Sequence, residues 1–155
     1  METAEKDFVE LLQLFDKHGV RYCIVGAFAV AVYALPRYTK DLGVLVEPVL
    51  ANGERICRAL RDFGFGSLKI EPRDFERKGI VIQLGYEPLR VDLITSIDGV
   101  TFDQVWKHKI KSRYGSRKVY FIGLRELIKN KKASGRKQDH VDLAILRKLR
   151  KEKKA

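Results

Sequence analysis

The sequence predicts an α/β domain. Short β-rich apolar runs alternate with segments of helical spacing, a glycine stands between the first run and the helix after it, and the last third reads as helix. Residues 4–18 place Phe8, Leu11, Leu12 and Phe15 at three- and four-residue spacings, an amphipathic helix that His18-Gly19 ends. Arg21 to Val25 is a first strand, Gly26 a turn, and AFAVAVYAL a buried helix stopped by Pro36. The run LGVLVEP is a second strand that Pro48 closes, and Leu50, Ile56, Leu60 and Phe63 repeat the helical period over residues 50–63.

Beyond FGFGS, Gly79–Tyr86 and Leu89–Thr95 read as two strands separated by Glu87-Pro88, a hairpin or two neighbours of a mixed sheet. Phe102–Lys107 suggests a helical turn, Val119–Ile122 a short strand, and Leu124–Lys132 a helix with Leu124, Leu127 and Ile128 inward. A last helix over 137–149 is expected to turn Val141, Ile145, Leu146 and Leu149 to the core and Arg147, Lys148 and Arg150 to water. No repeat and no Gly/Ser linker divides the chain. The expectation is one domain over residues 1–150, with 151–155 a frayed basic tail.

Composition narrows the class. With 155 residues, 45% hydrophobic and 33% charged, the chain has the material for a packed core. Its longest apolar stretch, Cys23 to Leu35, has 13 residues, short of the ~20 that cross a bilayer, and no charged-then-apolar leader opens it. The expectation is a cytoplasmic protein away from the membrane. Cys23 and Cys57 have no metal-ligand spacing and read as reduced core thiols.

Charge is uneven along the chain. Residues 1–106 hold 13 Lys/Arg against 16 Asp/Glu, a net of −3, whereas residues 107–155 hold 18 against 4, a net of +14, so the whole surplus of the net +11 lies in the last third. Such a block suits an anionic partner such as RNA or nucleotide phosphates, and it also occurs as plain solvated surface. From Arg125 onward it contains no aromatic residue, so it offers no stacking platform for single strands.

The chemistry concentrates in residues 24–47, IVGAFAVAVYALPRYTKDLGVLVE. Gly26 permits a tight turn and close backbone approach to a ligand, and free N–H groups near Ala27 suit an anion. A glycine at a strand-to-helix turn serves ordinary packing equally well. Asp41 opens the second strand and Asp92 lies on a later one. By themselves these carboxylates also read as a turn cap and as a partner of Arg90 or a lysine.

Gly26-Ala27, Asp41-Leu42-Gly43, Asp92 within RVDLITSIDG, the Pro36-Arg37-x-Thr39-x-Asp41 approach, FGFGSL, VIQLG and the late KNKKASGRKQDHVD resemble, in that order, the polymerase-beta-like nucleotidyltransferase superfamily. The resemblance is to its small single-domain members related to toxin-antitoxin nucleotidyltransferases. It implies a nucleotidyltransferase fold, with a mixed sheet flanked by helices and further helices at the C-terminus. It also implies a Mg²⁺-dependent enzyme that moves a nucleotidyl group from a nucleoside triphosphate onto an RNA or protein acceptor, and a toxin or antitoxin partner.

Asp41 and Asp92 then take metal-binding and catalytic positions. Gly26, Ala27, Arg37, Thr39 and Lys131, with Lys137 beside the last, take nucleotide-binding ones. The family's Asp-x-Asp is broken here, because Gly43 stands at its second position and leaves the two-metal site incomplete. Glu47 lies ~13 Å further along the strand, too far to ligate the same ion. Asp98 reaches the site only if the loop after Thr95 folds back. The alternative is a weakened or inactive member that binds nucleotide or RNA, or controls a partner protein.

Asp139 and Asp142, in the first turns of the last helix, are expected to complement its dipole. His18, His108 and His140 have no metal-ligand grouping and are expected at the surface or at helix ends; Trp106 is expected in the core.

Overall fold

The computed structural model describes residues 3–34, 41–66, 68–85 and 90–154. The elements are α1 (Thr3–Lys17), β1 (Tyr22–Val25), α2 (Ala27–Tyr33), β2 (Asp41–Val46), α3 (Leu50–Leu60), β3 (Val81–Leu84), β4 (Arg90–Ile94), α4 (Phe102–Lys107), β5 (Ile110–Tyr114), β6 (Arg117–Phe121), α5 (Leu124–Ser134) and α6 (Lys137–Lys154). A π-type turn over Arg61–Phe65 extends α3, and a 3₁₀ turn spans Pro72–Phe75.

The six strands form one mixed sheet in the order β3-β4-β2-β1-β6-β5. β2 runs parallel to β4 and β1 parallel to β6, and the other neighbours are antiparallel. β1, β2 and β4 are central and short, and their apolar residues Ile24, Leu42, Val44, Leu45 and Leu93 are fully buried. Central strands covered on both faces are expected to read as apolar runs. Phe8, Leu11, Leu12 and Phe15 of α1 are buried as their spacing predicts, and so are Leu127 and Ile128 of α5.

The expected hairpin turn at Glu87-Pro88 lies outside the described residues, but the strands it would join, β3 and β4, do pair antiparallel. Three local readings need correction. β5 pairs with β6 across Gly115-Ser116, and its sequence IKSRY, half charged, hid it from an apolar-run criterion.

The inward face of α6 is also different from the one expected. Leu143 and Leu146 are buried together with Asp139 and Asp142, while Val141 and Ile145 are 56% and 44% exposed. Two carboxylates occupy the core-facing stripe, so hydrophobicity alone assigned the wrong rotation. Third, α6 continues through the expected frayed segment to Lys154.

Trp106 is half-buried at the core's edge. It stacks on Phe102 at 5.9 Å, and the Lys109 ammonium lies 3.8 Å from its ring centre. Cys23 is buried and Cys57 half-buried, and both are free thiols. Among the described residues no helix is long and apolar enough to cross a membrane.

Candidate active site

Alternation along β2 sends Leu42 and Val44 to one face of the sheet and Asp41 and Gly43 to the other. Because β4 is parallel to β2 with Asp41 opposite Arg90 and Gly43 opposite Asp92, the side chains of Arg90 and Asp92 emerge on that same face. β1 contributes Val25, which pairs with Gly43. At the end of β1 the chain turns through Gly26 at φ 73°, a left-handed conformation that favours glycine, and enters α2 at Ala27.

The turn, Val25, Asp41, Gly43 and Asp92 border one cleft of about 340 Å³, whose lining does not include Arg90. Gly26, Ala27, Asp41, Gly43 and Asp92 line it from the sheet side, and Lys131, Arg136, Gln138 and Asp139 from α5 and α6. The sequence-predicted Asp41, Asp92, Gly26, Ala27 and Lys131 are therefore brought together. Arg37 and Thr39 lie outside the described residues. A larger cleft of about 500 Å³, lined by Lys69, Arg73 and Ile82 among others, includes neither aspartate.

The floor of the site is an ion network. The Arg90 guanidinium reaches both aspartates, with Nη2 3.2 Å from Asp92 Oδ2, Nε 3.3 Å from Asp92 Oδ1 and Nε 3.6 Å from Asp41 Oδ1. Asp92 is the more enclosed carboxylate, at 17% side-chain exposure against 42% for Asp41. Asp92 pairs with Arg90, as one reading of the sequence expected, and it also lines the cleft beside Asp41.

The wall is a second network that dipole reasoning missed. The Lys131 ammonium, almost fully buried, lies 3.0 Å from Asp139 and 3.2 Å from Asp142, whose side chains are also buried. Asp139 further accepts hydrogen bonds from Ser134 Oγ at 2.7 Å, the Arg136 backbone N–H at 3.1 Å and Arg136 Nε at 2.8 Å. Burial works to raise the Asp139 carboxyl. The hydrogen bonds from Arg136, Ser134 and Lys131, with the charge of Lys131, outweigh it and hold the group well below the usual carboxylate range.

Gly135, at φ 64°, ends α5 in a left-handed cap and lets the chain turn straight into α6. Ser134 and Arg136 thus flank Asp139. Arg136 keeps 77% of its side chain exposed at the cleft, a cation that sequence reasoning did not single out. Its signal was present in SGRKQD, a small-residue turn followed by Arg and, three residues on, Asp.

Gly43 leaves a gap in this arrangement. A Cβ built there would meet the Val25 carbonyl oxygen at 3.4 Å, Val25 Cγ2 at 3.5 Å and Ile94 Cδ1 at 3.8 Å, which are ordinary contacts, so the fold has room for a side chain. Glu47 is committed elsewhere, 3.3 Å from Arg21 Nη1. Asp98 does not line the cleft; its backbone carbonyl accepts from Asn130. Among the described residues no three His, Cys, Asp or Glu side chains are grouped to hold a metal ion. His18 pairs with Asp62 and His108 with Glu126, both away from the cleft.

No family model and no curated protein matches the sequence. Solved structures do match its fold. The lincosamide antibiotic adenylyltransferase LnuA, solved with lincomycin bound, superposes with a TM-score of 0.57 at 16% identity, over 94% of this chain and 97% of its own. The chain has the nucleotidyltransferase fold.

A putative nucleotidyltransferase from Thermotoga maritima gives a TM-score of 0.57 at 15% identity over 96% of this chain and 89% of its own. An antigenic nucleotidyltransferase-like protein from Paracoccidioides brasiliensis gives 0.54 at 11%, over 96% and 77%. Within this nucleotidyltransferase fold, the cleft at Asp41 and Asp92 lies at the ends of the central strands where β1 turns into α2.

Proposed function

We propose that the chain binds a nucleoside triphosphate in the Asp41/Asp92 cleft and transfers its nucleotidyl group to an acceptor hydroxyl on RNA or protein. The observation that carries this reading is the placement of two carboxylates from different strands on one face of the sheet, beside the Gly26-Ala27 turn and the exposed Arg136. Two carboxylates suit Mg²⁺, which is commonly held by one or two such groups and completes its shell with water and phosphate oxygens. Asp41 and Asp92 would hold it. Bound there, the ion would polarise the phosphate oxygens and lower the barrier to in-line displacement.

Arg136 is the accessible cation for the triphosphate, and Lys131, tied to two aspartates, holds the wall that carries it. The acceptor oxygen attacks the α-phosphorus, the bond to the bridging oxygen breaks, pyrophosphate leaves, and the hydroxyl proton passes to a carboxylate of the pair. The +14 of residues 107–155 favours RNA as the acceptor, and its binding then weakens as salt rises. A toxin or antitoxin partner and a cytoplasmic location belong to the same proposal.

Gly43 favours a second reading, a nucleotide- or RNA-binding protein with little or no transfer. A labelled-nucleotide transfer assay in Mg²⁺ or Mn²⁺ separates the two, using wild type, Asp92→Asn and Gly43→Asp. Transfer by wild type that Asp92→Asn abolishes supports the enzyme. Transfer only by Gly43→Asp rejects it in favour of the second reading.

A further inference from the structure

Arg90 sits where the proposed chemistry needs an empty space. It lies two residues before Asp92 on β4 and directly opposite Asp41 on β2, so strand geometry puts all three side chains on one face. Its guanidinium spans the two carboxylates at 3.2 to 3.6 Å. A divalent cation shared by Asp41 and Asp92 needs the same carboxylate oxygens.

We propose that Arg90 is a built-in competitor for the divalent ion, and that it leaves the aspartate pair when its side chain swings to pair its guanidinium with the triphosphate. The inference rests on the nucleotide-binding reading above and adds an order to it: metal alone binds poorly, and nucleotide opens the pair.

Charge arithmetic supports the competition. The Arg90 guanidinium offsets part of the negative charge of the two carboxylates, so a divalent ion entering beside it meets a weaker attraction and a direct repulsion. An aspartate at position 43 would add a carboxylate that one guanidinium could not also offset; with Gly43 the guanidinium weighs more. Arginine does not deprotonate in proteins, so movement rather than titration must relieve the conflict. Its planar fork matches phosphate as well as carboxylate, and a triphosphate in the cleft is the natural recipient. The side chain is 34% exposed and contacts both carboxylates that line the cleft.

The test is Mn²⁺ binding by the full chain without nucleotide, followed by electron paramagnetic resonance, in wild type, Arg90→Gln and Arg90→Lys, with melting curves to establish folding. Arg90→Gln is expected to bind Mn²⁺ at least about tenfold more tightly than wild type, since about 1.4 kcal/mol of relieved competition corresponds to that factor. Arg90→Lys gains less, because one ammonium cannot span both carboxylates as a fork does. The gain should vanish when Asp92→Asn is added to Arg90→Gln.

Equal or weaker binding by folded Arg90→Gln overturns the inference, as does a gain that survives Asp92→Asn. If Arg90→Gln does not fold, Arg90→Lys decides by the same criterion of tighter binding than wild type. Nucleotide transfer is not the readout. A wild type without transfer whose Arg90 variants gain Mn²⁺ refutes the enzyme and leaves the competition standing, and an active wild type whose variants gain nothing does the reverse.

Discussion

Replacing Gly43 by aspartate adds a third carboxylate beside Asp41 and Asp92, and its cost follows from the geometry. The new Cβ fits without backbone movement, its nearest neighbour being the Val25 carbonyl oxygen at 3.4 Å. Its carboxylate would stand one two-residue step from Asp41, ~6.6 Å along the strand, and one strand spacing, ~4.8 Å, from Asp92. At ~6 Å and an effective dielectric of ~20–40, each like-charge pair costs about 1.5–3 kcal/mol. Exposure of Asp41 and the neighbouring Arg90 pull the total toward the lower end, and replacing a strand glycine returns about 0.5–1 kcal/mol.

The metal-free variant is therefore expected to be about 2–2.5 kcal/mol less stable than wild type. For a chain of this size that corresponds to a Tm lower by about 4–10 °C. Mg²⁺ or Mn²⁺ at about 10 mM should recover that deficit in Gly43→Asp and shift wild type much less, because only the variant offers three carboxylates to one ion. Differential scanning calorimetry with and without metal reads both numbers. A variant as stable as wild type in chelator, or one that metal stabilises no more than wild type, refutes the placement of position 43 beside the two aspartates.

Lys131→Met leaves Asp139 and Asp142 buried without their ammonium and should cost about 3–5 kcal/mol in urea unfolding; a loss under about 1 kcal/mol contradicts the buried network. Because the Asp139 carboxyl is held below its unfolded value, its stabilisation is complete above about pH 4 and is lost as pH falls through the folded value. Wild type should therefore lose stability more steeply than Asp139→Asn on acidification below pH ~4, and parallel curves contradict this. Burial pushes the Cys23 thiol up to about 12 and also raises Cys57, so a thiol reagent at about pH 8 should leave Cys23 unmodified until denaturant is added; rapid labelling of Cys23 in the folded protein counts against its burial.

The sequence determined the β1-turn-α2 start, because Gly26 interrupts two apolar runs of different period, and through a resemblance to a known order of motifs it singled out Asp41 and Asp92, which the fold brings to one cleft. It also located the basic excess, which is a property of composition. What it left open follows from physics that acts across the chain. β5 carries alternating Lys and Arg and becomes a strand through its hydrogen bonds to β6, which no local pattern encodes. α6 is rotated by the attraction of buried Lys131 for Asp139 and Asp142, so charge pairing overrides the Val141-Ile145 stripe.

That the two aspartates meet was decided by the parallel register of β2 and β4, in which Gly43 faces Asp92 and Asp41 faces Arg90. The same register placed a guanidinium between the carboxylates. A sequence can supply both charges, but only strand pairing fixes their separation, and at a few ångströms separation decides whether carboxylates hold a neighbouring arginine or an incoming ion.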